Sequence, residues 1–90
     1  MDKINIVLAD DHVLVRNGIK AMLESDAEIH VVGEASNGVE ALATAKSLRP
    51  DILVLDIRMP EMTGLEAVAK LSDYAPGTKA VILSMHDSEE

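Results

Sequence analysis

Apolar and polar positions along this chain switch repeatedly between two periods. Ile4 to Ala9 (INIVLA) is β-branched and nearly all apolar, which predicts a strand covered on both faces. From Asp11 to Ser25 the period becomes helical: Val15, Ile19, Met22 and Leu23 share one face, and Arg16, Lys20 and Glu24 another. Ile29 to Ala35 (IHVVGEA) predicts a second strand. The following SNGVEALATAKSL contains an Asn-Gly pair that could close a hairpin. Asn37 with Glu40 makes a capping box instead, and Ala41, Leu42, Ala45 and Leu48 recur at helical spacing. Pro50 ends that helix by driving Arg49 out of the helical region.

Ile52 to Asp56 (ILVLD) is the third predicted strand. Thr63 and Glu66 form a second capping box, opening a helix expected to bury Leu65, Val68 and Ala69, with Glu66 and Lys70 paired on its outer side. Ala75-Pro76-Gly77 ends it, and KAVILSM, Lys79 to Met85, predicts a fourth strand before the polar HDSEE. The order β-α-β-α-β-α-β with continuous apolar strands predicts one α/β domain over residues 1–90. Its sheet is parallel and doubly wound, with helices on both faces and right-handed crossovers.

Composition narrows the function. One Tyr is the sole aromatic, so the core is built from Ile, Leu, Val, Ala and Met. Sixteen acidic against eight basic residues give a net charge of −8, which argues against this segment gripping nucleic acid. The absence of Cys excludes disulfides and thiolate zinc sites. The start of the chain turns acidic too soon for a signal-peptide core, and no apolar run approaches the roughly 18 residues of a membrane span, so the expected location is the cytoplasm.

In an open α/β sheet, ligands bind outside the carboxyl ends of the strands. Strand one ends in Asp10-Asp11, strand three in Asp56 and strand four in Ser84. Three carboxylates gathered there repel one another unless protons or a cation intervene. All-oxygen ligands suit a hard divalent ion, Mg²⁺ before Ca²⁺ or zinc. A carboxylate beside such an ion can be aimed at phosphorus as a nucleophile. Pro60 and Gly64 shape the loop after Asp56, and the spacing lets that loop aim a backbone carbonyl, such as that of Arg58, at the same ion. The plainer reading makes Asp10 and Asp11 helix caps and His12 a solvent-facing residue of the first helical turn. A cap at Asp56 would leave Thr63 redundant.

"VLADDH", "PDILVLDIRMPEMTGLE" and "VILSMHD" together resemble response-regulator receiver domains of bacterial two-component systems. The "DDH" run with "RMPEMTGLEA" and "LSMHD" is most similar to the branch that carries a LuxR/NarL-type helix-turn-helix output domain. The resemblance implies a flavodoxin-like sheet of order 2-1-3-4-5 and a cytoplasmic signalling switch, not a turnover enzyme. Asp56 would accept a phosphoryl group from a sensor histidine kinase. Asp11, Asp56 and the backbone carbonyl of Arg58 would hold Mg²⁺, with Asp10 acting through water. Ser84 would contact the phosphoryl oxygens, and Arg58 and His86 would flank the entrance.

A complete receiver continues into a fourth helix, a fifth strand ending in a phosphate-binding lysine, and a fifth helix. This sequence carries none of these, so the fold expected is the receiver sheet without its last strand and last two helices. Lys79 cannot replace the lysine, because it lies at the wrong end of strand four. DNA binding would require an output domain outside this chain. An open edge at strand four and an uncovered first helix lead us to expect a homodimer, other self-association, or marginal stability. The runner-up function is a structural or dimerising fragment without phosphoryl chemistry. A haloacid-dehalogenase-type hydrolase wants an acid where Arg58 stands. A cobalamin domain wants glycine where Val15 stands. A flavin domain wants a phosphate loop where DDHVLV stands.

Overall fold

The structure, a computed structural model, describes residues 3–56 and 62–83. Within them the chain runs β1 (Ile4–Ala9), α1 (Val13–Glu24), β2 (Ile29–Ala35), α2 (Gly38–Leu48), β3 (Ile52–Asp56), α3 (Gly64–Tyr74) and β4 (Lys79–Leu83). All strand pairings are parallel, and the order is β2-β1-β3-β4. This is the expected receiver order as far as its fourth strand. The last two residues of the predicted fourth strand, Ser84 and Met85, lie outside the described residues.

Strand alternation divides the core into two halves. Val7, Ala9, Leu53 and Leu55 face α2 and α3, packing with Ala41, Leu42, Ala45, Ala67, Leu71 and Ala75. Ile6, Leu8 and Val54 face the other way, with Ile19 of α1 and Val31 of β2. Each fully buried Leu or Val here contributes about 1.5–3 kcal/mol over leaving it exposed. The middle strands are covered on both sides, which is why their sequences are unbroken apolar runs.

β2 departs from simple alternation. Its register with β1 shifts between Ile6↔Val31 and Val7↔Gly33, so Val32 is an extra residue. Val31 packs on the α1 side, whereas Val32 packs against the opposite core. Gly33 also faces α2; a Cβ there would come within 2.8 Å of Leu48 Cδ1 and 3.1 Å of Thr44 Cγ2. The bulge therefore turns the end of β2 over, so that Ala35 joins the α2–α3 core.

The helix caps follow the sequence with two amendments. Thr63 and Glu66 close the full capping box on α3. At α2, Asn37 accepts the Glu40 N–H, but Glu40 reaches past the cap to the Ser36 N–H. Arg49 leaves the right-handed helical region as expected, yet enters the left-handed one at φ 49°, not an extended conformation. There its N–H donates to the Ala45 carbonyl and its Nε to that of Lys46.

The buried face of α3 is a correction. Leu65 is 61% exposed and Ala69 is exposed, while Ala67 and Leu71 are buried and Val68 is partly buried. The stripe Gly64-Ala67-Leu71 lies about one residue out of phase with the expected Leu65-Val68-Ala69. The start of α2 lies tight against the segment that leads into α3: a Cβ on Gly38 would lie 2.6 Å from the Met62 carbonyl oxygen.

The open side of the sheet lies beyond α1 and β4. Ile19, Met22, Leu23, Val54, Val81 and Leu83 line an apolar groove of about 350 Å³. Met22 is 67% exposed. The expected uncovered apolar face on helix one is therefore present, and β4 is an edge strand among the described residues.

Gly38→Ala should destabilise the fold by about 1–3 kcal/mol despite alanine's better helix propensity, because the obstacle is backbone. Urea unfolding measures this. Arg49→Gly should raise stability by about 0.5–1 kcal/mol in the same assay, since glycine relieves the left-handed penalty.

Candidate functional site

β1 and β3 pair in the register Val7↔Leu53, Leu8↔Val54, Ala9↔Leu55. Continuing that register by one residue puts Asp10 beside Asp56, so the two carboxylates leave the sheet together. Asp10 is 2% exposed, although it follows the last residue of its strand. Its Oδ1 accepts the His12 N–H at 2.8 Å. Asp56 is half-buried and Asp11 is exposed. His12 Nδ1 stands 3.0 Å from Asp11 Oδ1 and 3.6 Å from Asp10 Oδ1. One potential ligand atom from each of Asp10, Asp11, His12 and Asp56 falls within 4.8 Å of all the others.

The capping alternative for Asp10 and Asp11 does not hold. The N-cap of α1 is His12, which makes no side-chain cap hydrogen bond, and the first turn carries no acid. His12 is exposed, as expected, but it precedes the first turn and its ring lies among the acids. Thr63 and Glu66 close the capping box of α3 between themselves.

A donor set of three carboxylates and an imidazole suits a divalent cation. The predominance of oxygen and the lack of thiolate favour a hard ion such as Mg²⁺. Asp10 supplies the strongest reason: a buried carboxylate beside two others is costly unless positive charge is close. Arg58, Ser84 and His86, together with Pro60, lie outside the described residues.

The polar stripe of α1 reads differently in three dimensions. Arg16, Lys20 and Glu24 each bond to β2, although Glu24 remains exposed. Arg16 Nη1 donates to the Asp10 carbonyl at 2.7 Å, to Ser36 Oγ at 3.3 Å and to the Ala35 carbonyl at 3.4 Å. Its Nε bonds Glu34 Oε1 at 2.9 Å, and Lys20 Nζ reaches Glu34 Oε2 at 3.2 Å. Glu24 Oε2 accepts the Val31 N–H at 3.0 Å. Helical periodicity identifies this stripe as polar. It carries no signal that the stripe bonds to a strand 7 to 19 residues away.

Partial burial alone would raise the Glu34 carboxyl's pKa. The hydrogen bonds and charges of Lys20 and Arg16 outweigh that and hold it below its ordinary value of 4.5. A depressed carboxyl stabilises the fold above the unfolded pKa, and the contribution is lost as pH falls through the folded value. Glu34→Gln should therefore lower stability at pH 7 by roughly 0.5 kcal/mol. That difference should shrink as pH is brought below about 4.5, which urea titrations at several pH values will resolve.

Comparison with known proteins agrees with this arrangement. Residues 6–90 match the family model described as "Response regulator receiver domain". The nitrate/nitrite response regulator protein NarL of Escherichia coli K12 is 42% identical over 85 residues, covering 94% of this chain and 39% of that protein. The oxygen regulatory protein NreC of Staphylococcus epidermidis is 45% identical over 86 residues, 94% of this chain and 39% of its own length. The chain thus spans about two fifths of these curated relatives. Among solved structures, the signal receiver domain of NarL from Mycobacterium tuberculosis superposes with a TM-score of 0.91 at 37% identity, covering 99% of this chain and 72% of that one. A receiver domain of Thermotoga maritima CheB gives 0.85 at 33% identity, over 97% of this chain and 64% of that one. No helix among the described residues is long and apolar enough to cross a membrane. With the flavodoxin-like sheet order, the acidic rim and these relatives in agreement, the chain belongs to the response regulator receiver domain family, on its NarL-type branch.

Proposed function

We propose that this chain is the phosphoacceptor part of a cytoplasmic signalling switch, in which Asp56 takes a phosphoryl group from a sensor histidine kinase. The observation that carries the reading is the convergence of Asp10, Asp11 and Asp56 within 4.8 Å at one rim of the sheet. Asp11, Asp56 and the backbone carbonyl of Arg58 would hold Mg²⁺, with Asp10 acting through water. The bound ion would neutralise charge on the incoming phosphoryl oxygens.

The protein's own part is positioning. β3 delivers Asp56 rigidly, because Leu53 and Leu55 on one face and Val54 on the other lock the strand that carries it. One carboxylate oxygen of Asp56 bonds to phosphorus as the phosphorus–nitrogen bond of the kinase's phosphohistidine breaks. The electron pair returns to the imidazole, which takes up a proton. Asp10, buried beside Asp11 and Asp56, adds a third carboxylate to the rim. Ser84 would contact the phosphoryl oxygens, while Arg58 and His86 flank the entrance. Relatives include proteins described as transcriptional regulatory proteins, so DNA binding would belong to an output domain outside these 90 residues.

A second reading is self-association, as a homodimer of this chain. It is favoured by the β4 edge and the adjoining groove of Ile19, Met22, Leu23, Val54, Val81 and Leu83. Val81→Lys, on the edge and at the groove wall, should return an associated species to monomer by size exclusion with light scattering. A wild-type monomer at all concentrations would dismiss that reading.

Incubation with Mg²⁺ and a small phosphodonor should add the mass of one phosphoryl group to the wild-type chain. The gain should disappear in Asp56→Asn and on chelation of the metal. Addition that survives Asp56→Asn would place the acceptor elsewhere.

A further inference from the structure

We propose that Arg16, anchored by Glu34, is a positioning residue that fixes the turn between β1 and α1 and thereby sets the divalent-cation affinity of the acidic rim. The inference rests on the reading of that rim as a metal-dependent phosphoacceptor site.

The turn needs a device to hold it. It carries Asp11 and His12 in the short span between the end of β1 and the start of α1. α1 has no side-chain cap to order that span. The last backbone bond between β1 and β2 is Asp10 N–H to the Ala35 carbonyl at 3.0 Å. Beyond it the Asp10 carbonyl would face outward at the rim. Arg16 occupies that position. It sits one turn into α1, its side chain is 14% exposed, and its Nη1 bridges the Asp10 carbonyl, the Ala35 carbonyl and Ser36 Oγ. The guanidinium therefore joins the ends of β1 and β2 to the helix that follows β1.

Fixing the Asp10 carbonyl fixes the plane of the Asp10–Asp11 peptide, because the amide is rigid. That plane sets where the Cα of Asp11 stands and so where its carboxylate is aimed. The His12 N–H bound to Asp10 Oδ1 clamps the same turn from its other end. Glu34 makes the clamp stiff. Its carboxylate holds Nε at 2.9 Å, which fixes the plane of the guanidinium, and Lys20 steadies Glu34 from the other oxygen at 3.2 Å. A lysine at position 16 carries one nitrogen and cannot hold Glu34 and the Asp10 carbonyl together in this fork geometry.

Charge and position make opposite predictions here, which renders the role testable. Arg16 is a cation close to an intended cation site. On Coulomb grounds alone its removal would strengthen Mg²⁺ binding. If Arg16 acts by position, its removal weakens binding.

The experiment is calorimetric titration of Mg²⁺ into the wild type, Arg16→Ala and Arg16→Lys, with amide hydrogen exchange on the metal-free proteins. Arg16→Ala should raise the Mg²⁺ Kd roughly ten-fold or more, the range seen when residues supporting metal ligands are lost. Exchange at the Asp11 and His12 amides should rise about ten-fold, while Leu53 and Leu55 in β3 stay protected, marking a local effect. Arg16→Lys retains the charge and should still lose several-fold in affinity. It also decides the matter should Arg16→Ala fail to fold. Unchanged or tighter Mg²⁺ binding in a folded Arg16→Ala, or wild-type affinity in Arg16→Lys, overturns the positioning role and leaves the site reading intact. Failure of the wild type to bind Mg²⁺ overturns the site reading and this inference with it.

Discussion

The structure depends on the parallel register of β1 against β3. Ala9 aligns with Leu55, so the next residue on each strand is an aspartate, and the two arrive together where the ladder ends. A slip of one residue would separate them by a rung. It would also invert the facing of Leu53, Val54 and Leu55, exposing side chains that now fill two cores. The hydrophobic pattern thus guards the register, and the register assembles the acidic rim. Packing and chemistry are joined through the same five residues of β3.

α1 performs two jobs on two faces. Its polar stripe of Arg16, Lys20 and Glu24 binds the Glu34 side chain and the Val31 N–H of β2. Its apolar stripe buries Ile19, while Met22 and Leu23 line the open groove toward β4. β2 and β4 are the two outer strands among the described residues, and the apolar groove lies on the β4 side. The acidic rim sits at the carboxyl ends of the strands between these two sides.

A buried carboxylate gives the rim its character. Asp10 has almost no access to water, and the Asp11 and Asp56 carboxylates lie beside it. Carboxylates gathered so closely suit a cation, whose charge offsets their mutual repulsion. Rigid delivery of Asp56 by β3 and clamping of the β1–α1 turn by Arg16 convert that electrostatic tension into a shaped site.

Element order, the parallel sheet and the acids at strand ends were legible in the sequence, because each rests on local pattern. Apolar runs mark strands covered on both faces, capping boxes mark Asn37 and Thr63 as helix starts, and Asp56 interrupts its strand where burial ends. Other features arise from contacts between segments distant along the chain. The bulge at Val32, the one-residue shift in the buried face of α3, and Gly38 against the Met62 carbonyl are set by neighbours far away in sequence. The bonds of Arg16 to Asp10, Ala35 and Ser36 are likewise tertiary, since a helix period distinguishes polar from apolar faces without naming what each face meets. The sequence by itself determined which residues form strands and helices and which carboxylates end them, because backbone preference and burial act over a few residues. Only the tertiary structure decided which side chains hold those carboxylates in place, because that depends on which strand end lies beside which helix.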